Sequence, residues 1–378
     1  MKIPDFELER WKAKHIAPGV IDLTETGVPE PLKVGDIFKE SLLDLVLDYA
    51  PLYGGEELRE RIAELYQNVK KDNVLVTSST SEGNMIAANV GIANGDEVLV
   101  QIPAFMQLPG LVEAIGTRIN YYRLEEEDKF ELNLDKFNEK MSPKTKAIVL
   151  NFPNNPTGRT LGEKEVKALC EIARDHDAWI IADEVYRGIE FDGPFSPSFA
   201  EYYEKAIVTS SLSKVWGLAG LRIGWIIAPR AIIEGPASAY KEYTSLGCSL
   251  LSEHLATMAL EKPIRERLVQ RGRRLVRESL EVFEHWMETH KEVFSWIRPR
   301  FGVIALVKQT LGISSSDFAE RVYRGKKVAL VPCDTVFPDL TDYLRISYCH
   351  PPKKLAEALG RVSDEVTNVR AGRGEVVA

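Results

Sequence analysis

Several residues suited to chemistry fall at one kind of place in this 378-residue chain, directly after a short apolar run. The first group is Ser211-Leu212-Ser213-Lys214, which follows Ala206–Thr209. A lysine at the carboxyl end of a buried strand sits at the rim where α/β proteins bind ligands. Its amine can condense with an aldehyde to form a Schiff base. Ser211 and Arg222, 222 − 214 = 8 positions beyond the lysine, carry a hydroxyl and a cation of the kind that hold a phosphate. The second group is Asp183-Glu184-Val185-Tyr186, after Ala178–Ala182. Asp183 has the charge to pair with a protonated ring nitrogen, and Tyr186 the hydroxyl to reach a phenolic oxygen. The third is Asn151-Phe152-Pro153-Asn154-Asn155-Pro156-Thr157-Gly158, whose amides lie within reach of a ligand at the same rim. The fourth is Thr77-Ser78-Ser79-Thr80-Ser81-Glu82-Gly83, a hydroxyl-rich join between a strand and a helix. There, free N–H groups and the helix dipole favour an anion.

Each group also fits an ordinary role. Lys214 suits a surface loop, and Asp183 and Ser79–Ser81 suit helix caps. The Asn-Pro-Gly run suits a turn. Their order and their common place in the chain carry the argument.

The elements that must position them are legible from apolar patterning. Asn73–Thr77, Glu97–Gln101, Ala147–Asn151, Ala178–Ala182 and Ala206–Thr209 read as strands buried on both faces of a parallel sheet. Helical patterns at Glu82–Val90 and Lys164–Asp175 alternate with them, as in βαβ units. Beyond about residue 228 the texture changes. Long charged helices are expected over 250–292. After them come a strand near Gly302–Val307, a helix near Ser315–Tyr323, a strand near Tyr343–Ser347 and a final helix from Pro351. The fold class expected is α/β: a large domain with a mostly parallel central sheet flanked by helices, plus a smaller α+β domain. The boundaries read as 46–285 for the large domain, with 1–45 and 286–378 forming the small one. A frayed tail is expected at Ala371-Gly372-Arg373-Gly374.

Composition narrows the function. Lys and Arg total 48 against 56 Asp and Glu, a net charge of −8 that argues against a broad nucleic-acid surface. No run of about 18 uncharged apolar residues suggests a membrane span, and the first residues show no secretory leader. Cys170, Cys248, Cys333 and Cys349 show no CxxC pairing, so free thiols in a reducing cytoplasm are expected. The six histidines show no metal-ligand spacing, and no metal is expected.

Taken in order, these motifs resemble the class I/II aminotransferases, the fold-type-one enzymes that use pyridoxal 5'-phosphate (PLP). The resemblance runs from about Gly27 to about Val366. A Tyr, a Gly and a Leu-Arg match Tyr49, Gly54 and Leu58-Arg59. The phosphate turn matches Ser79-Thr80-Ser81, the ring-stacking aromatic Phe105, and Asn-Pro-Thr-Gly the run from Asn155. Asp-x-x-Tyr matches Asp183 and Tyr186, and Ser-x-Ser-Lys with Gly-Leu-Arg-Ile-Gly matches Ser211–Gly224. Arg-Ile-Ser matches from Arg345. The resemblance implies Lys214 as the Schiff-base lysine, with Asp183 and Tyr186 beside it in catalysis. It implies a PLP seat of Ser79, Thr80, Ser81, Phe105, Asn155, Ser211, Ser213, Arg222 and a Tyr49 that reaches the partner's cofactor in a homodimer with shared sites. It implies Gly27, Asn155 and Arg345 around the substrate, an amino acid and a 2-oxo acid. The sequence departs from the family pattern at Ser79, where glycine is usual, at Phe105, more often Tyr, and at Pro332-Cys333, where Pro-Gly is frequent.

The reading is therefore a cytoplasmic aminotransferase. The alternative on the same scaffold is a PLP lyase or cyclase resembling capreomycidine synthase, which would use the same lysine and aspartate. A dehydrogenase-like nucleotide binder lacks its Gly-x-Gly-x-x-Gly after the first strand.

Overall fold

The computed structural model describes residues 2–38, 42–337 and 340–372. The chain divides into two compact units: Met1–Pro4 with Pro31–Asn155 and Arg159–Gly272, and Asp5–Glu30 with Pro156–Gly158 and Arg273–Ala378.

The first unit is built on a seven-stranded sheet. Its strands are β1 (Val74–Thr77), β2 (Glu97–Ile102), β3 (Arg118–Arg123), β4 (Thr145–Asn151), β5 (Trp179–Asp183), β6 (Ala206–Ser211) and β7 (Gly224–Ile227). They lie in the order β1-β7-β6-β5-β4-β2-β3. Only β7 runs against its neighbours; the remaining pairings are parallel. The expected strands β1, β2, β4, β5 and β6 form within a residue or two of their expected ends. Two more strands join them. β3 is an edge strand, half-exposed and carrying Arg118, Asn120 and Arg123, so no apolar run marks it. β7 is a four-residue strand, too short for a period to show.

Burial of both sheet faces drives this arrangement. Val98, Val100, Val149, Ile181, Ile207 and Ile226 form one core with Ile86, Ala87 and Ala88 of the helix Thr80–Gly91. The helix stays close because it ends in Gly91, where a Cβ would meet Ile181 Cδ1 at 2.8 Å. Truncating Ile181 to alanine would cost about 2–5 kcal/mol through lost burial and the cavity left behind.

Pairing in this register has a functional consequence. Asn151 of β4 lies opposite Asp183 of β5, and Asp183 opposite Thr209 of β6. Ser211 of β6 lies opposite Gly224 of β7, and Gly224 opposite Thr77 of β1. The residues that close the apolar runs thus stand side by side along one rim of the sheet.

The second unit has a four-stranded antiparallel sheet of Val331–Pro332, Tyr343–Ser347, Ile304–Gln309 and Phe294–Trp296, in that order. Helices Ser315–Lys326 and Pro352–Arg370 accompany it. A short parallel pair joins Ile21–Asp22 to Val328–Ala329. The charged stretch expected over 250–292 forms two helices, Leu250–Ala259 and Lys262–Thr289. Of the tail, Ala371 and Gly372 form a turn, and the rest lies outside the described residues.

Candidate active site

The rim of the sheet gathers most of the predicted residues. Asp183 is 3% exposed at the end of β5. Asn84 Nδ2 donates to its Oδ2 at 2.9 Å, and Val185 N donates to its Oδ1 at 3.1 Å. Thr209 Oγ1 in turn donates to Asn84 Oδ1 at 2.6 Å, fixing the amide with its NH2 toward the acid. Burial pushes the Asp183 carboxyl above the ordinary range, against the pull of Asn84, Val185 N and the Lys214 ammonium. A carboxylate taken from water at such a place needs a cation beside it.

Lys214 follows β6 in the turn Leu212–Trp216 and is half-buried. Its Nζ lies 6.0 Å from the centre of the Tyr186 ring. Tyr186 OH accepts from Asn155 Nδ2 at 3.3 Å. Asn151 Oδ1 accepts from Phe105 N at 3.4 Å and from Asn155 N at 3.3 Å, so one side chain at the end of β4 ties the Phe105 loop to the Asn155 turn. Asn154 Nδ2 adds bonds to Pro103 O at 3.0 Å and Asn151 O at 3.1 Å.

The loop from β1 into the helix Thr80–Gly91 has the form of an anion cradle. Ser79 adopts φ 81° and ψ 167°, a region essentially reserved for glycine that costs a serine about 1–3 kcal/mol. Ser79 Oγ caps the helix by accepting from Ser81 N at 3.3 Å. Thr77 Oγ1 donates to Ser79 O at 2.9 Å. β7 passes behind the loop with Gly224, whose Cβ would lie 2.4 Å from Ser79 C and 2.6 Å from Thr80 N. Any side chain there would push the loop away. Thr80 Oγ1 is buried without a hydrogen-bond partner among the described residues. An orphaned buried hydroxyl at a helix N-terminus is what a phosphate oxygen would satisfy. Ser211, fully buried, accepts at Oγ from Ser213 N at 3.2 Å.

The remaining residues differ in setting. Arg222 is exposed, in a left-handed conformation, with Nη1 donating to Ala219 O at 3.1 Å. Ser81 is exposed and gives its carbonyl to Gln107 Nε2 at 3.0 Å. Tyr49 is 91% exposed. Gly27 and Arg345 belong to the second unit. Arg345 is buried in the strand Tyr343–Ser347, with Nη2 donating to Thr24 O at 2.7 Å, three residues before Gly27. Trp216 and Trp225 pack edge to face, both buried, with Trp225 Nε1 donating to Tyr66 OH.

Motif order does not reveal Asn84 and Thr209. Asn84 faces Asp183 only through helix packing across 99 positions. Thr209 carried a signal of its own: it closes the apolar run expected from the sequence, and in β6 it pairs in register with Asp183.

The residues present fit PLP. The cradle offers a place for its phosphate, the buried Asp183 a partner for its ring nitrogen, and Lys214 an amine for its aldehyde. Fold and rim together define a PLP-dependent enzyme. The chain belongs to the aminotransferase class I and II family, whose model matches residues 38–362. It is 27% identical to aromatic-amino-acid aminotransferase 2 of Thermococcus litoralis over 367 residues, 93% of each chain. It is 27% identical to capreomycidine synthase of Streptomyces vinaceus, over 98% of this chain and 96% of that one. A solved PLP-dependent aminotransferase from Streptococcus suis superposes with a TM-score of 0.90 at 27% identity, over 98% of this chain and 99% of the other.

Proposed function

We propose that the enzyme moves the amino group of an L-amino acid to a 2-oxo acid, with Lys214 as its covalent anchor and proton carrier. The observation that carries this reading is the register that lines up Asn151, Asp183 and Ser211 on one rim, with Lys214 three residues past the end. When bound, PLP supplies an aldehyde for amines to condense with and a ring that accepts an electron pair.

The chain's own groups account for the rest. Asp183, held by Asn84, keeps a negative charge against the ring nitrogen. The Tyr186 hydroxyl and the Asn155 amide, 3.3 Å apart, share the ring-oxygen contact. Phe105 stacks on the ring face. Ser79, Thr80, Ser81, Ser211, Ser213 and Arg222 take the phosphate. Arg345 grips the substrate carboxylate with a planar fork, with Gly27 leaving space beside it. Lys214, displaced by the incoming amine, takes the proton from the substrate Cα and holds it for return.

We also infer a homodimer with shared sites. Tyr49 stands exposed with Leu43, Val46 and Leu47, an apolar strip of the kind that marks an interface. The four buried free cysteines suit the reducing cytoplasm expected for it. Among the described residues no helix is long and apolar enough to cross a membrane.

Similarity to capreomycidine synthase favours a second reading, elimination or cyclisation on an amino acid. A half-reaction separates the two. Mixed with an amino acid and no oxo acid, a transaminase releases one equivalent of oxo acid, leaves pyridoxamine phosphate and stops. Repeated turnover with an unchanged PLP spectrum and no second substrate would establish the second reading instead.

A further inference from the structure

Next to the cradle loop lies a cluster that the reaction does not use. Lys241 has no exposed surface. Its Nζ is 3.1 Å from Ser245 Oγ, 3.6 Å from Cys248 Sγ and 3.7 Å from Glu82 Oε2. Glu82 Oε2 accepts from Ser78 N at 2.5 Å, and its Oε1 accepts from Thr244 Oγ1 at 2.6 Å. Ser78 Oγ lies 3.6 Å from Cys248 Sγ. One carboxylate therefore ties the cradle loop to the segment Lys241–Cys248, and one buried ammonium faces that carboxylate.

This arrangement answers two problems posed by the local sequence. Ser79 occupies a backbone conformation that glycine adopts freely and serine does not. Such a residue persists only where its surroundings over-determine it. The bond from Ser78 N to Glu82 fixes the residue just before it, while Thr77 holds Ser79 at both N and O. The second problem is charge. Glu82 stands in the first turn of the very helix whose N-terminus would receive a phosphate. Unpaired, a carboxylate there would repel the anion. Burial alone would raise the Glu82 pKa, but Lys241, Thr244 and Ser78 together hold it below the ordinary range.

We propose that Glu82 and Lys241 are positioning residues for the cofactor phosphate: they clamp Ser78, hold Ser79 in the shape a glycine would take unaided, and neutralise the one carboxylate in the cradle's helix turn. The proposal rests on the reading that the phosphate sits at Ser79–Ser81.

The test measures binding rather than turnover, on apoenzyme prepared from the full chain. Lys241→Met should weaken PLP about tenfold or more, because it leaves the Glu82 carboxylate without its buried cation. It should leave pyridoxal, which lacks the phosphate, at wild-type affinity. The phosphorus resonance of bound PLP should shift or broaden. Adding Ser79→Gly should recover part of the loss, because glycine needs no clamp. Thr80→Val and Ser211→Ala serve as references for the seat itself. Equal loss of PLP and pyridoxal would reduce the pair to general stability and overturn the proposal. Unchanged PLP affinity in Lys241→Met, with loss in the references, would sink the clamp and leave the seat standing. No loss in any of the three would remove the seat, and the clamp with it. Should Lys241→Met fail to fold, Glu82→Gln carries the same expectations and the same refutations.

Discussion

Asn84 and Asp183 meet at 2.9 Å, an amide donor on a carboxyl whose pKa burial pushes up. The pair comes from the helix after β1 and the end of β5, and Thr209 locks the amide's orientation. Hydrogen bonds to the charged form and a nearby cation both favour ionisation. The arrangement opposes the effect of burial and favours the anion where a ring nitrogen would be protonated.

Asp183→Asn should therefore lower kcat by at least about a hundredfold, the scale of removing one preorganised electrostatic group. Cofactor should remain at least partly bound. Asn84→Leu should give a smaller loss of the same kind, with the absorbance of the bound cofactor shifted. Near-normal turnover in Asp183→Asn would show that this carboxylate is not the ring partner.

Lys214 is expected to carry the cofactor. Reduction of the yellow holoenzyme with borohydride should fix the label on the peptide holding Ser211–Arg222. Lys214→Ala should bind PLP without covalent attachment and lose the proton transfer. A label on any other lysine, Lys241 included, would overturn the assignment.

How much of this was legible in the sequence depends on distance along the chain. Lys214, Asp183 and Asn155 each follow an apolar run, and register alone brings such ends together. The glycine departure at Ser79 is visible in the sequence, but its cost and its clamp are not. Glu82 opens its expected helix as an ordinary first-turn acid, and nothing in the sequence singles out Lys241. They meet across more than half the sheet domain because of packing that no local period encodes. β3 was hidden for the converse reason: an edge strand needs little apolar surface, so Arg118–Arg123 lacks the mark of a buried strand.

Arg345→Lys should raise KM for the amino donor about tenfold or more, since an ammonium cannot copy the two parallel bonds of a guanidinium. PLP affinity should stay near wild type. Loss of PLP with substrate affinity intact would return Arg345 to a structural role around Thr24.

Glu184 gives a pH dependence. Burial pushes its carboxyl up to about 7, although Arg187 and Phe199 N pull it down. An unfolded glutamate titrates near the ordinary 4.5. Between these values the fold holds a proton that the unfolded chain has released, so stability falls as pH rises through that window. Above about 7 this contribution is lost. Glu184→Gln should flatten the decline in melting temperature between pH 5 and 7. An unchanged slope would assign it to other groups.

Tyr49 is 91% exposed, although the family pattern places its counterpart at a cofactor phosphate. A phenol this exposed on its own chain is placed to do that work in a partner's site. Tyr49→Ala and Lys214→Ala should each be weak or inactive as pure proteins. If sites are shared, the two defects complement. In a hybrid dimer, one site takes Lys214 from the first chain and Tyr49 from the second, so it is whole. The other site lacks both. Refolding the two variants together should make half the dimers hybrid and return roughly a quarter of wild-type activity, as two-fold symmetry requires. Merely mixing folded dimers should return activity only as fast as subunits exchange. If Tyr49 serves its own chain, every site in the hybrid keeps one defect and no activity returns. A fully active monomer in sedimentation would rule out sharing directly.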